Sequence, residues 1–422
     1  MLDLRLIRER PDLVRAAVAS LGIEAPIDTI LALDEDRRAI LSEVEALKAR
    51  RNEVSKEIGR LRGGPGAEPL KDESRSIGER IKALDENVKS VEGKLNSAML
   101  EMPNLPHDSV PAGKDDRDNV VVRTVGEPRQ FDFAPLAHWD LGPTLGIIDF
   151  ERGVRMSGTR FYLLKGAGAR LQRALITWML DLHVAKHGYT EIYPPYVVRE
   201  ECLWVDGKLP KFRDNIYHDA EEDLWWIGTA ETPLTNLHRD ETLTLDDLPR
   251  SYVAYTACFR REKMSAGRDV RGIKRGHQFD KVEMFKFTTP ESSYEDLETM
   301  VAQAEEVPAL LGIPHRVILM CTGDLGFVAA KKYDVEMWAP GCAEWLEVSS
   351  LSNCTDFQAR RGNMRFRREQ GARPEYMHTL NGSGLALPRT LIAVIENYQQ
   401  SDGSVVVPEV LRPYMGGIEV IR

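Results

Sequence analysis

The sequence predicts an α+β protein in which an N-terminal antiparallel coiled-coil hairpin precedes an antiparallel sheet with flanking helices. Two stretches of heptad-spaced apolar residues, separated by a Gly/Pro turn, predict the hairpin. The strand-like runs that come later mostly follow one another along the chain, which favours an antiparallel sheet over a doubly wound parallel one. No glycine motif of the Rossmann or P-loop type is present, so phosphates are not expected to bind in such a turn.

The composition is that of a large globular protein. The chain has 422 residues and a formal net charge of −10, with 42% hydrophobic and 29% charged residues. This length and composition predict a soluble protein with a sizeable core and at least two domains. The acidic balance argues against non-specific coating of nucleic acids, but it allows a local basic surface.

The cysteines and the apolar stretches bear on the compartment. The five cysteines are widely spaced and form no C-x-x-C pair, which fits a reducing compartment and argues against a disulfide framework. The first residues, MLDLRLIRERPDLV, are charged throughout and do not resemble a signal peptide. The longest apolar stretch, near residues 174–182, is about half a membrane span. A cytoplasmic protein without membrane spans is therefore expected.

The N-terminal domain is predicted to cover residues 1–110, with the coiled-coil hairpin at about 27–102. A short helix and a turn are expected within residues 1–25. The seams then alternate spacings of three and four, with Arg37 and Arg51 at core positions of the first seam. The first seam comprises Ile30, Leu33, Arg37, Ile40, Val44, Leu47, Arg51, Val54, Ile58 and Leu61, and the second Ile77, Ile81, Leu84, Val88, Val91, Leu95, Ala98 and Met102.

The outward face of the hairpin allows two interpretations. Residues 33–61 would span about 42 Å as a helix. A hairpin of two such helices is too thin to enclose a hydrophobic core of its own. It must therefore serve either to reach a binding partner or to act as a spacer. Its basic residues are interleaved with acidic ones, which fits an ordinary solvated helix pair. The same residues could bind a long polyanion, because Lys and Arg neutralise phosphates. The hairpin alone does not decide between these interpretations.

Residues 111–128 are predicted to be a linker and residues 129–422 a second domain. The linker is rich in proline, glycine and acidic residues. A helix is expected at 166–187, followed by a strand at 189–198 that Pro194-Pro195 interrupts, which suggests a sheet edge or an interface. Further strands are predicted at 224–227, 252–259, 281–287, 316–319 and 344–350.

The stretch 259–287 organises the second domain. Arg260 and Glu262 follow a predicted strand, a small polar loop comes next, and an alternating run from Val282 to Phe287 closes the stretch. In such a pair, the guanidinium can bind a phosphate while the carboxylate accepts a hydrogen bond from a base or an amine. A salt-bridged surface hairpin is the alternative for these two residues alone.

Three short motifs, in order, resemble the signature motifs of class II aminoacyl-tRNA synthetases. They are Gly188-Tyr189-x-x-Ile192-x-x-Pro195 after a helix, Phe259-Arg260-x-Glu262 after a strand, and Gly384–Arg389 before a helix. Further sequence stretches strengthen the resemblance, among them TAETPLT at 229–235, HQFDKVE at 277–283 and EVSS at 347–350. Together with the helical hairpin, they make nearly the whole chain resemble the seryl-tRNA synthetase family.

The resemblance implies a class II synthetase-like fold and a two-step reaction. Serine would first be joined to the α-phosphate of ATP with Mg²⁺, and then be transferred to the terminal ribose of tRNA. The serine carboxylate is already ionised at neutral pH, so no general base is needed and the work is positioning and charge neutralisation. Arginines and a metal ion, rather than a Ser-His-Asp arrangement, should therefore dominate the site.

The resemblance also implies roles for individual residues. Arg260 and Arg389 would be the catalytic arginines. Arg260 would bind the α-phosphate of ATP, and Arg389 would bind the distal phosphates. Glu262 would accept from the adenine amino group and Phe279 would stack on adenine, with Arg261, Val348 and Ser349 also in the ATP site. Glu347 and Ser350 would coordinate Mg²⁺ through oxygen. The serine pocket would comprise Thr229, Ala230, Glu231, Arg260, Glu283 and Ser383.

The chain departs from the family pattern in three places. Lys263-Met264 stands where small residues are common, the run 204–210 replaces a more glycine-rich version, and Pro388 stands where glycine is frequent. Proline in a first helical turn is compatible with a helix. The first departure puts the path of the loop after Glu262 in doubt.

The family resemblance implies a homodimer, tRNA(Ser) and L-serine as substrates, and tRNA(Sec) as a further substrate. Two alternatives belong to other classes: an activator that loads a carrier protein, and a non-catalytic RNA-binding relative. The long hairpin argues against the first, and the presence of Arg260, Glu283, Glu347 and Arg389 argues against the second.

Overall fold

The chain folds into two compact units in a computed structural model that describes residues 1–61, 64, 66–263 and 271–422. One unit comprises residues 1–19 and 23–103, and the other comprises residues 20–22 and 104–422. Gly63 and Pro65 of the predicted Gly/Pro turn, and residues 264–270, which include Met264, lie outside the described residues. The predicted division into an RNA-binding arm, a linker and a catalytic domain stays a prediction about function.

The N-terminal unit is helical. Its helices are α1 (Leu4–Glu9), α2 (Pro11–Ser20), α3 (Ile27–Leu61) and α4 (Ala67–Leu100). Ion pairs cross between the two long helices, since Arg37 pairs with Glu92 at 2.8 Å and Arg50 pairs with Glu73 at 2.8 Å. As numbering rises along α3 it falls along α4, so the predicted antiparallel hairpin is confirmed.

The seam of α3 differs from the prediction at its polar positions. Val44 packs with residues of α4 as expected, but Arg51 is exposed, and Arg37 is half-buried in its ion pair. The buried polar residue is instead Asp34, which accepts hydrogen bonds from Arg8 and Arg38 at 3.3 and 3.1 Å. An arginine can leave the seam because its long stem carries the charge to water.

The second unit contains the remaining helices and all the strands of the described chain. The helices are α5 (His138–Thr144), α6 (Phe150–Ser157), α7 (Ala167–Ala185), α8 (Glu200–Val205), α9 (Glu231–Thr235), α10 (Ser293–Leu310), α11 (Phe357–Arg361) and α12 (Leu387–Asn397). The strands are β1 (Val120–Val125), β2 (Ile148–Asp149), β3 (Leu163–Leu164), β4 (Thr190–Glu191), β5 (Val197–Arg199), β6 (His218–Asp219), β7 (Leu224–Trp226), β8 (Thr242–Thr244), β9 (Arg250–Phe259), β10 (Gln278–Thr288), β11 (His315–Leu319), β12 (Lys331–Ala339), β13 (Glu344–Asn353), β14 (Arg365–Arg367), β15 (Glu375–Tyr376), β16 (His378–Ala386), β17 (Val405–Val406) and β18 (Val420–Ile421).

An eight-stranded sheet forms the centre of this unit. Its strand order is β1-β11-β12-β13-β16-β10-β9-β4, and every neighbouring pair is antiparallel except β4 with β9. Helices α7, α10 and α12 contribute buried apolar side chains to the core that packs against it, among them Leu175, Met300 and Leu391. The predicted antiparallel sheet with flanking helices is therefore confirmed.

The edges of the sheet are where the sequence was least informative. Residues 120–125 fall in the predicted linker, yet they form β1 against β11, with all six residues exposed. The predicted strand 189–198 is split into β4 and β5, with Pro194-Pro195 between them. Because proline cannot donate to a ladder, β4 stops before these residues and lies at the opposite edge.

The remaining observations concern cysteines and membrane segments. All five cysteines are free thiols, in agreement with the expectation that the chain has no disulfide framework. Among the helices of the described residues, none combines the length and the apolar character that crossing a membrane requires.

Candidate active site

The paired strands β9 and β10 bring the central residues of the site together. Arg260 follows the last residue of β9, and its guanidinium carbon lies 5.1 Å from the centre of the Phe279 ring on β10. The Arg260 Nε donates to the Gly228 carbonyl at 3.0 Å, which fixes the direction of the side chain. A cation held over an aromatic face in this way offers a charged edge and a flat surface to one ligand.

A cavity of about 360 Å³ opens beside these residues. The predicted site residues that line it are Thr229, Glu231, Arg260, Glu262, Phe279, Glu283, Glu347, Val348, Ser350, Ser383 and Arg389. The chain therefore brings most of its widely separated candidate residues to one place.

Three of the predicted residues do not line this cavity. Ala230 is fully buried. Arg261 is exposed, and its backbone N–H donates to the Asn215 carbonyl at 2.9 Å. The Ser349 hydroxyl is buried and donates to the Ser383 carbonyl, so its role in the structure is to support a neighbouring residue of the cavity wall.

One end of the cavity carries Thr229, Glu283 and Ser383. Glu283 on β10 lies directly opposite Ser383 on β16, and the Thr229 hydroxyl donates to Glu283 Oε2 at 3.2 Å. Lys281 donates to the Thr229 hydroxyl at 2.7 Å and forms an ion pair with Glu283 Oε2. Burial raises the pKa of Glu283 even though the Lys281 ammonium opposes the rise. This end thus offers hydroxyls and a buried carboxylate within one small space.

Glu231 has a different environment from Glu283. Its Oε2 accepts from Lys208 at 2.9 Å, and its Oε1 accepts from Gln358 and Asn381 at 2.8 and 3.2 Å. Burial, the largest single influence, opposes the charge of Glu231, but the ammonium groups of Lys208 and Lys281 and the hydrogen bonds from Lys208 and Gln358 together hold the pKa of this carboxyl below its usual range. The carboxylate is therefore ionised and held from several sides.

The other end of the cavity is built on β13 and the start of α12. The pairing of β13 with β12 shifts register between Val335 and Glu336, which marks a bulge. Residues three apart on a regular strand would point to opposite faces, but the bulge lets both Glu347 and Ser350 line the cavity. Arg389, in the first turn of α12, donates to the Glu347 carbonyl at 2.6 Å. A helix N-terminus with an arginine is a favourable place for an anion.

Several residues of the cavity wall were not predicted to be site residues. They are Lys208, Lys274, Arg275, Gly276, Lys281, Asn381, Ala386 and Pro388. Lys281 stands two residues before Glu283 on the same strand, so period-two alternation could have identified it. Lys274 and Arg275 form a short basic run after the loop, and Arg275 lies 3.7 Å from Glu262.

The basic run is anchored by α5. The ring of Trp139 lies under Arg271 and Lys274, at 4.6 and 5.5 Å from their cationic centres. The neighbouring residue, His138, accepts the backbone N–H of Ile273 through Nε2 at 3.2 Å. These contacts fix the segment that carries Arg275 into the cavity.

His138 also belongs to a buried cluster with Cys342 and Glu396. The ligand atoms of the three residues lie within 4.8 Å of one another, a spacing that could hold a metal ion. The Ile273 N–H points at His138 Nε2, so the ring proton belongs on Nδ1, which faces Glu396 Oε1 at 2.9 Å. Glu396 accepts two backbone N–H groups as well. Hydrogen bonding therefore accounts for the cluster without a metal.

Replacing Glu396 with glutamine is expected to lower the free energy of unfolding by about 2 kcal/mol, because an amide group would face a buried N–H donor in place of an acceptor. Urea denaturation followed by circular dichroism measures the change. Glu295→Gln, at an exposed position of α10, is the matched control and should unfold like the wild type. Equal unfolding midpoints for both variants would contradict the role given to the cluster.

A second cavity, of about 440 Å³, adjoins the first and shares Lys208, Glu231 and Arg260 with it. Its wall includes the aromatic residues Phe212, Phe259 and Phe327. Aromatic surfaces beside cations are typical of sites that bind unpaired nucleotides.

Two family models match the chain. The seryl-tRNA synthetase N-terminal domain matches residues 1–106, and the class II tRNA synthetase core domain (G, H, P, S and T) matches residues 211–398. A serine–tRNA ligase of Roseiflexus sp. (strain RS-1) is 64% identical over 423 residues, with 100% of both chains covered.

Solved structures agree with these matches. The seryl-tRNA synthetase from Pyrococcus horikoshii complexed with ATP is 41% identical, with a TM-score of 0.95 and coverage of 100% of this chain and 99% of the other. The cytoplasmic serine–tRNA ligase from Naegleria fowleri in complex with AMP is 35% identical, with a TM-score of 0.90 and the same coverage. With this fold, this cavity and these relatives along its whole length, the chain belongs to the seryl-tRNA synthetase family.

Proposed function

We propose that this chain attaches L-serine to tRNA(Ser) in two steps through a seryl-adenylate. Family membership supports the reaction, and the ATP complex of the Pyrococcus horikoshii relative supports the nucleotide. The observation that carries the proposal is the composition of the first cavity. Arginines and an aromatic ring occupy one part of it, and a buried carboxylate with two hydroxyls occupies another.

ATP would lie along the wall formed by Phe279, Arg260 and Arg389. Phe279 would stack on adenine, and Glu262 would accept from the adenine amino group. Arg260, held in place by Gly228, would bind the α-phosphate, and Arg389 at the start of α12 would bind the distal phosphates. Arginine suits both positions because its planar fork pairs with two phosphate oxygens at once.

Glu347 and Ser350 would hold Mg²⁺, and the residues present fit this ion. Both offer oxygen, the ligand that a hard cation prefers. Burial, reinforced by the charge of Glu347, raises the pKa of nearby Asp334 to about 7, and Asp334 Oδ1 is buried without a hydrogen-bond partner among the described residues. Such a concentration of carboxylates favours a cation, which when bound would neutralise phosphate charge.

The first step needs positioning rather than proton transfer. The ionised carboxylate of serine would attack the α-phosphorus, and pyrophosphate would leave on the opposite side. Arg260 would hold the attacked group in line and stabilise the charge on its oxygens. In the second step, a hydroxyl of the terminal ribose would attack the carbonyl carbon of the adenylate and AMP would leave. The second cavity offers room for that terminal nucleotide.

Serine would be selected by Thr229, Glu283 and Ser383. Its hydroxyl would hydrogen-bond within this group, so alanine would leave buried polar atoms unpaired and bind far more weakly. Lys281 keeps Glu283 Oε2 occupied, and the described residues provide no partner for Oε1. Glu283 Oε1 is therefore the acceptor that would remain for serine.

We also infer that the helical hairpin binds tRNA and that two copies of the chain pair. Exposed lysines on the hairpin would neutralise phosphates. The sheet edge at β4, beside α7, would form the dimer contact, because both of its residues are exposed. tRNA(Sec) would be charged by the same route if its shape fits the hairpin.

Serine-dependent exchange of pyrophosphate into ATP tests the proposal. With the twenty amino acids supplied one at a time, exchange is expected with serine and with no other at comparable concentration. Charging of purified tRNA(Ser) then separates a synthetase from an activator that loads a carrier protein. Exchange with a different amino acid would overturn the serine assignment, and no exchange at all would favour a non-catalytic relative.

A further inference from the structure

Lys208 lies between two carboxylates at the edge of the serine pocket. Its ammonium is 2.9 Å from Asp206 Oδ2 and 2.9 Å from Glu231 Oε2. The side chain of Asp206 has no exposed surface, and that of Lys208 is only 21% exposed. Three charged groups are thus held together with little water around them, where such groups require mutual compensation.

Lys208 is fixed at both ends rather than free to swing. Its backbone N–H donates to Asp206 Oδ1 at 3.0 Å, while its ammonium bonds Asp206 Oδ2. Asp206 is itself held by the hydroxyl of Thr232. A lysine tied to the same aspartate through backbone and side chain remains where it is, so Glu231 meets a stationary cation.

The bonds to Glu231 leave this carboxylate with limited capacity. Lys208, Gln358 and Asn381 supply three donors, and a carboxylate has about four acceptor sites. One acceptor site therefore remains. Because the other three bonds fix the carboxylate, the remaining site has a defined direction.

We propose that Lys208 is a positioning residue for serine activation: paired with Asp206, it orients the Glu231 carboxylate so that its remaining acceptor site receives the serine ammonium. This inference rests on the proposed function. The proposal gives the two carboxylates of the pocket different roles. Glu283 would contact serine directly with one oxygen, whereas Glu231 would depend on the Asp206–Lys208 pair for its orientation.

Net charge gives the proposal a specific test. With both carboxylates ionised against the Lys208 ammonium, the group Asp206–Lys208–Glu231 has a net charge of −1. Burial raises the pKa of Asp206, and the Lys208 ammonium opposes that rise. Lys208→Gln changes the net charge to −2, and Asp206→Asn changes it to 0. The double variant Asp206→Asn/Lys208→Gln returns to −1, and its amide side chains can still link residue 206 to Glu231.

Serine-dependent pyrophosphate exchange in the full chain is the measurement, with KM for serine, KM for ATP and kcat determined separately. Lys208→Gln is expected to raise KM for serine about tenfold or more, because two buried carboxylates lose their shared cation. KM for ATP should stay within about twofold, since the proposed ATP contacts lie elsewhere in the cavity. The double variant is expected to recover KM for serine to within about threefold of wild type.

Lys211→Gln is the matched control, because Lys211 is exposed and lies over the Phe327 ring rather than on a carboxylate. It removes the same charge and should leave KM for serine unchanged. If Lys208→Gln does not fold, the double variant still decides, since it must fold and show near-normal KM for serine.

An unchanged KM for serine in Lys208→Gln, or a double variant impaired as much as or more than Lys208→Gln, would overturn the proposal. A uniform loss of kcat with no change in KM for serine would also overturn it, because that pattern indicates general damage. These outcomes are distinct from a failure of the proposed function, which would appear as absent serine-dependent exchange in the wild type.

Discussion

Replacing Arg260 with alanine is expected to reduce serine-dependent pyrophosphate exchange by about 10³-fold or more, because the arginine would stabilise the charge that develops on the α-phosphate. Arg260 has the position that this role needs. It follows β9, its guanidinium lies over Phe279, and its Nε bonds to Gly228. The guanidinium is thus oriented before the substrate arrives, which is the condition for a large effect.

The fold should survive this substitution. The backbone N–H of Arg260 donates to the His277 carbonyl at 2.9 Å, and the ring of His277 bonds the Arg260 carbonyl. Both contacts belong to the main chain of residue 260 and remain in the alanine variant. The side chain is half-buried, so the loss of stability should be about 1 kcal/mol.

Exchange assays together with thermal melting distinguish the loss of activity in Arg260→Ala from any loss of stability. Arg250→Ala, at the other end of β9 and paired with Asp247, is the control and should keep normal exchange. Arg260→Lys retains charge but loses the planar fork, so an intermediate rate is expected. Near-normal exchange in Arg260→Ala would contradict the assignment of this arginine.

The fold was predictable where local pattern and tertiary environment agree. The heptads of α3 and α4 and the alternating residues of β9 and β10 predicted the elements that the structure contains. By contrast, β16 carries Asn381, Gly382 and Gly384, which disfavour a strand. It forms because β13 and β10 bond it from both sides, and a side chain at 382 would collide with Leu351. No local pattern encodes that requirement.

In the candidate site, too, some residues could be predicted from the sequence and others depend on the folded arrangement. The family motifs identified Arg260, Glu283 and Arg389, and the structure brings them to one cavity. The lysines that pair with the pocket carboxylates were not identified, because the partner of a buried charge depends on the folded arrangement. Lys208 reaches Glu231 across 23 residues of sequence, and no spacing rule connects them.

Deleting residues 28–101, with a short glycine linker in their place, is expected to lower the affinity for tRNA(Ser) by about 100-fold or more, because a long polyanion loses many phosphate contacts. Serine-dependent exchange should remain, since the residues of the cavity all belong to the second unit, which has its own core. Filter binding and exchange assays measure the two properties separately.

The charges on the hairpin allow a finer test of the same role. Arg37, Arg50 and Arg80 are paired across the two helices, so their guanidinium groups already have carboxylate partners. Lys48, Lys56, Lys82 and Lys89 are exposed, and no ion pair involves them within the described residues. They are four of the cations available to phosphates, together with the exposed residues Arg51, Arg60 and Lys94 of the same helices.

Changing these four lysines together to glutamine should weaken tRNA binding without unfolding the hairpin. The dependence of log affinity on log salt should become shallower by about 0.7 to 0.9 for each phosphate contact that is lost. Changing the same four to arginine keeps the charge and should keep wild-type binding. If the deletion weakens binding but the glutamine variant does not, the hairpin acts through its remaining exposed cations, its shape or its apolar surface. If neither change weakens binding, the tRNA is held by the second unit alone, and the hairpin is only a spacer.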